Sequence, residues 1–440
     1  MTESTALLPS GLRDTLPPEA EHEALVTESL LATFRQNGYR QVSPPLVEFE
    51  ASLLTGPGAA MTDKTFRLVD PASQRTMAVR ADITPQISRI AATRLSRWPR
   101  PLRLSYNGTV LRVTGDQLRP DRQFRQAGLE LIGSDSAAAD GEVIVVSVEA
   151  LTALGVQGLT VDLSLPTFAP ALVPALAEGD AVSAELREAL NRKDLASIQR
   201  LTGDTAPLLA AVMATAGAAD VALKQLQALD LPDAARQVLE PAQALLPLLR
   251  EGLPDVTVTL DPVEHRGFEY HRGISFSLFA RGQHGELGRG GRYWASAPGF
   301  AGETATGATL YLDMVMRALE PSAAANRLYL PAGTTPAGRR ARQDEGWWTV
   351  AGLDAGVEPQ VEAKRLGCSH VWLDGAGRFR ALCRYYNNRK IPYNSLILIS
   401  RYEYERQYRR GRCGFRAAGL VNPQYRCHPP EYPTVRPFQD

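Results

Sequence analysis

Between about residue 168 and residue 250 the chain reads almost wholly as helix, while strand-like segments stand on both sides of that block. SAELREALNRKDLASIQRL is representative, with Ala and Leu recurring at helical spacing. Before the block come TFRLVD (65–70), RTMAVRAD (75–82) and GLTVDLSL (158–165). After it come VTVTLDP (256–262) and HRGFEYHRGISFSLFARG (265–282), the last read as a strand pair rich in aromatic and β-branched residues. A sheet fed from both sides of a helical stretch makes that stretch an insertion. The expectation is an α+β core over residues 1–320, built on an antiparallel sheet, with 168–250 as its helical insertion.

Local signals fill in the rest. Leu25, Val26, Leu30 and Phe34 recur at three-to-four spacing, so 22–37 predicts an amphipathic helix that Gly38 ends. Tyr39 to Val47 reads as a strand broken by Pro44 and Pro45, which suits an edge or a subunit contact. Thr84 to Leu95 predicts a helix with Pro85 in its first turn. Past residue 323, the run RLYLP, PAGRRARQDEG, WWTVAGL, EPQVEAKRLG and HVWLDG alternates strand and helix, which predicts a small α/β module over 323–375.

Charge separates the last segment from the rest. The chain has 48 Lys and Arg against 48 Asp and Glu, so nothing draws it as a whole toward nucleic acid or an acidic membrane. Residues 376–440, however, hold 13 Lys and Arg against 4 Asp and Glu, with 8 of the 14 tyrosines. Arginines for phosphates and tyrosines for stacking would make an RNA-binding arm. A disordered or non-native extension is the plainer expectation, because PQYRCHPPEYPTVRPFQD has no usable periodicity. The first residues carry neither a basic nor an apolar leader segment, and no apolar run approaches the roughly 20 residues of a membrane span. A cytoplasmic protein is expected. The four cysteines form no disulfide framework, and Cys413, Cys427 and His428 fit no zinc ligand set. No metal or cofactor is expected.

The stretch with most chemistry in it is LRVTGDQLRPDRQFRQAGLELIG (111–133), a strand–loop–strand pattern. Its Arg112, Arg119 and Arg122 suit either a phosphate grip or a solvated hairpin. Gln126 and Glu130 share one strand face by their even spacing, as the wall of a ligand site would require. GRGGRY (288–293) lacks the spacing of a phosphate loop and reads as a close backbone approach.

Seven ordered segments across residues 9 to 318 resemble the catalytic core of histidyl-tRNA synthetase, a class II aminoacyl-tRNA synthetase. They include PSGLRDTLP, GYRQVSPPLVE, VRADITPQISR, the 111–133 hairpin, HRGFEYHRG, GRGGRY and TGATLYLDM. The resemblance implies a class II fold and a dimer. It also implies a histidine pocket of Asp82, Thr84, Arg112, Gln126, Glu130, Arg266 and Tyr270. Asp82 would accept from the ligand ammonium, and Arg266 would hold its carboxylate as a two-donor fork.

The departures from that family point away from catalysis. Arg112 keeps a contact for an α-phosphate, but Thr114 stands where the family has the glutamate that reads adenine. Leu310 stands where it has an arginine on the γ-phosphate side, Trp294 where it has an aspartate, and His271 where it has a second tyrosine. Adenylate formation needs fixed positive charge where pyrophosphate leaves, and one such donor is worth about 3 kcal/mol in the transition state. RADITPQISRIAATR is similar to the regulatory subunits of ATP phosphoribosyltransferase, which share this shell. That likeness implies no catalytic residues of its own, a partnership with the short-form catalytic subunit, and feedback by histidine in its biosynthesis. The competing expectations are an active histidyl-tRNA synthetase, and an RNA-binding protein working through the basic tail.

Overall fold

A computed structural model describes residues 8–115, 119–177, 181–264, 271–319, 326–373 and 378–381. It divides into two compact units between Ala324 and Ala325. The first is organised by a nine-stranded sheet. Its first helix, Glu19–Gln36, buries Val26, Leu30, Leu31 and Phe34, and Gly38 at φ +82° turns the chain out of it. Strand β1 (Arg40–Gln41) follows at the edge of the large sheet, and Pro44 and Pro45 end it. β2 (Val47–Phe49), β3 (Arg67–Val69) and β4 (Thr76–Val79) then make a separate antiparallel sheet in the order β2-β4-β3. The helix Thr84–Thr93 follows with Pro85 in its first turn.

The hairpin is longer than its motif suggests. β5 (Leu102–Leu111) ends where the motif begins, and β6 (Gln123–Ile132) pairs with it over its whole length. The remaining strands are β7 (Leu159–Ser164), β8 (Gly217–Ala218), β9 (Thr257–Asp261), β10 (His271–Ala280), β11 (Gly288–Ala295) and β12 (Glu303–Tyr311). The sheet order is β1-β5-β6-β12-β11-β10-β7-β9-β8. Its pairs are antiparallel except β1 with β5 and β7 with β9. Helix Ala137–Ala153 packs Val143, Ile144 and Val146 into the core beneath it. Among the described residues the insertion supplies six α-helices between Phe168 and Gly252. It is not wholly helical, since β8 leaves it to pair with β9.

Of the segment 265–282, expected as a strand pair, the described part holds the one strand β10. β10 runs to Ala280, finds its partners in β7 and β11, and turns at Gly282 with φ +77°. Residues 265–270 lie outside the described residues.

The second unit consists of β13 (Arg327–Leu330), helix Pro336–Asp344, β14 (Trp348–Ala351), helix Pro359–Arg365, β15 (His370–Leu373) and β16 (Arg378–Ala381). Its sheet runs β14-β13-β15-β16 and is parallel except at the last pair. Tyr329, Ala363, Cys368 and Val371 form its small core. β16 lies past the expected boundary at 375, and the rest of the basic tail is outside the described residues. Among the described residues no helix is long and apolar enough to cross a membrane.

Candidate functional site

A cavity of about 960 Å³ opens over β6, β11 and β12, walled by the start of helix Thr84–Thr93 and by the hairpin arginines. One end is acidic and buried. Glu130 on β6 is 1% exposed. The Thr84 hydroxyl donates to its Oε1 at 3.2 Å and the Tyr293 hydroxyl to its Oε2 at 2.9 Å. Burial pushes its carboxyl up to about 8; the two hydroxyls pull the other way, and nearby Asp82 adds to the rise. Behind it Tyr106 hydrogen-bonds Thr309 at 2.7 Å, and Gly128 leaves the space that the Tyr106 ring needs.

Asp82 is fixed from two sides. Its Oδ1 accepts from the backbone N–H of Thr84 at 2.9 Å, and its Oδ2 from the Gln126 amide at 2.9 Å. Gln126 Oε1 accepts from the Ile83 N–H at 3.2 Å. Asp82, Thr84, Arg112 and Glu130 therefore line the cavity, while Gln126 sits one layer behind as the support of Asp82. Arg266 and Tyr270, the other two expected site residues, lie outside the described residues. His271, next to them, is buried and lines the cavity.

Lys64, Arg112, Arg119 and Arg289 also line the cavity, and two of these arginines are paired with acids of the same chain. Arg119 Nε meets Asp313 Oδ2 at 3.2 Å. Arg289 Nε meets Glu286 Oε1 at 2.8 Å. Arg112 lies over the Phe124 ring at 4.8 Å. Leu310 is wholly buried in the core; strand alternation presents Thr309 and Tyr311 to the cavity instead. This register of β12 thus gives the cavity hydroxyls and no cation. Thr114 is exposed.

Arg289 and Asp313 lie within GRGGRY and TGATLYLDM, but nothing in those segments or near Glu286 signals the pairs they make. Nor does the sequence signal the contact of Tyr106 with Thr309, which bridges 203 residues of chain. Tyr293 was within reach, as the last residue of GRGGRY. On the opposite side from the cavity, Arg292 of the same segment bonds Asp140 at 2.7 Å, and Thr306 donates to Asp140 at 2.6 Å.

Comparison with known proteins bears on this cavity. The family model described as histidyl-tRNA synthetase matches residues 11–315. An ATP phosphoribosyltransferase regulatory subunit of Paramagnetospirillum magneticum is 55% identical over 372 residues, which is 84% of this chain and 97% of that protein. One from Rhodospirillum centenum is 50% identical, over 84% of this chain and 96% of its own. Among solved structures, a Bacillus halodurans protein described as an ATP phosphoribosyltransferase regulatory subunit/histidyl-tRNA synthetase superposes with a TM-score of 0.73. It is 24% identical, and the match covers 84% of this chain and 99% of that one. The shared architecture is the class II aminoacyl-tRNA synthetase fold.

Proposed function

Since the chain belongs to the histidyl-tRNA synthetase family and, within it, to the ATP phosphoribosyltransferase regulatory subunits, we propose that its cavity serves regulation and not aminoacylation. The protein is a non-catalytic subunit of ATP phosphoribosyltransferase, the complex that opens histidine biosynthesis. The observation that carries this is the 55% identity sustained over 97% of a regulatory subunit. The site agrees with it: at the cation-rich end, Arg119 and Arg289 face acids of the same chain, and β12 offers no cation for a departing pyrophosphate.

The short-form catalytic subunit is the partner, and the protein works as a dimer in the cytoplasm. Histidine is the ligand of the cavity. Its ammonium would sit between Asp82 and Glu130, with Thr84 adding a hydroxyl, Gln126 holding Asp82 and Arg112 bordering the far side. Arg266 would take the carboxylate and Tyr270 would border the imidazole.

Mixing the purified chain with a short-form catalytic subunit tests this. Formation of phosphoribosyl-ATP should rise on mixing and fall when histidine is added. ATP–pyrophosphate exchange by the chain alone, with histidine, should stay at background. Exchange at an enzyme's pace would return the chain to the synthetases.

A further inference from the structure

We propose that Arg119 is the residue that keeps purine nucleotides out of this cavity. On its cation-rich side the cavity is lined by Tyr311, at the end of β12, and Phe124, near the start of β6, stands behind that lining. The two rings meet edge to face at 6.1 Å. Arg119 covers both. Its guanidinium carbon lies 3.9 Å from the Tyr311 ring centroid and 5.0 Å from that of Phe124. Arg112 covers Phe124 as well, at 4.8 Å. Phe124 is consequently buried and contributes nothing to the cavity lining, whereas Arg119 and Tyr311 do.

A guanidinium is flat and delocalised and stacks on aromatic faces as a heteroaromatic base does. Base and guanidinium therefore compete for one surface. Arg119 is difficult to dislodge, because its side chain and that of Asp313 are both nearly buried where they pair at 3.2 Å. Moving the arginine would leave the Asp313 carboxylate buried without its counter-charge. The neighbouring Arg289 is held in the same way by Glu286, so a phosphate chain would also have to compete with an internal acid.

This goes beyond the missing γ-side cation. Absence of that cation removes chemistry but not binding, while an internal guanidinium over the Tyr311 ring removes binding itself. The inference does not depend on which amino acid occupies the acidic end, so it can fail while the regulatory reading stands.

Adenosine is the probe, because it carries a base and no phosphate. Calorimetric titration of the full chain should show no saturable binding to the native protein. Arg119→Ala should bind adenosine, with a gain on the order of tenfold or more, the size expected of one stacked base. The double variant Arg119→Ala/Asp313→Asn removes the stranded carboxylate and should behave likewise, which keeps the test available if the single variant unfolds. Adding Tyr311→Leu should cancel the gain, an outcome that general loosening of the loop would not produce. The proposal is overturned if the folded double variant binds no better than the native chain. It is equally overturned if the native chain binds adenosine and Arg119→Ala weakens it, since the arginine would then be a ligand contact.

Discussion

The carboxyl of Glu130 occupies the space where a side chain at position 307 would stand: a Cβ built on Gly307 overlaps it. The two residues face each other across paired strands, Gly307 of β12 opposite Glu130 of β6. Gly307→Ala must push a buried, twice-bonded carboxyl off its partners Thr84 and Tyr293. Overpacking of this kind costs roughly 1 to 3 kcal/mol. Urea unfolding should report that loss, and histidine titration of the folded fraction should show weakened binding.

Glu130 should also make stability depend on pH in an unusual direction. Its folded carboxyl titrates at about 8, well above the ordinary value of 4.5. Between those two values the folded state holds a proton that the unfolded state has released, so stability falls as pH rises through that window. Glu130→Gln removes the titrating group and keeps an acceptor oxygen for one hydroxyl, while the other can turn to accept from the amide N–H. The variant should be more stable than the native chain at pH 9 by up to about 5 kcal/mol, the size of a shift from 4.5 to about 8, with little difference at pH 4. Melting curves across this range check it; a constant offset between the two chains would contradict the assignment.

Ligand binding should move the same proton. Near pH 7 the buried carboxyl is largely protonated in the empty cavity, and an ammonium placed beside it favours the charged form. Histidine uptake is then expected to release up to about one proton at pH 7, and affinity should strengthen from pH 6 toward pH 8. Calorimetry in two buffers of different ionisation enthalpy measures the proton count directly, and Glu130→Gln should bring it close to zero.

The scaffold was legible because its signals are periodic. The helix near 22–37, the hairpin strands and the alternating elements past 323 each repeat an apolar pattern along one segment. Gln126 and Glu130 could be paired on one face from their spacing alone, although only the structure separates a lining residue from the one that braces Asp82. Long-range pairings had no such signal. Nothing near Arg119 in the chain announces Asp313, and nothing near Tyr106 announces Thr309. Aromatic and β-branched content marks the strand character of His271–Ala280 but not where a strand begins or turns.

Arg292 and Asp140 give a case where motif membership and location disagree. Arg292 belongs to GRGGRY, whose neighbours Gly291 and Tyr293 line the cavity. Its own side chain points to the helix side of the sheet, reaching Asp140 and the carbonyl of Ser136. Burial pushes the Asp140 carboxyl above the ordinary range even with this arginine beside it, the mark of a pair whose desolvation offsets much of its attraction. Removing one partner strands the other, so Arg292→Ala should cost about 3 to 5 kcal/mol. Replacing both with apolar residues, as in Asp140→Leu/Arg292→Met, should recover part of that stability, because no buried charge remains unpaired although the Thr306 hydroxyl loses its acceptor. Histidine affinity of the folded double variant should match the native chain, since neither side chain reaches the cavity. Urea unfolding and calorimetric titration on the same samples decide it: stability regained with binding lost would place Arg292 in the site after all.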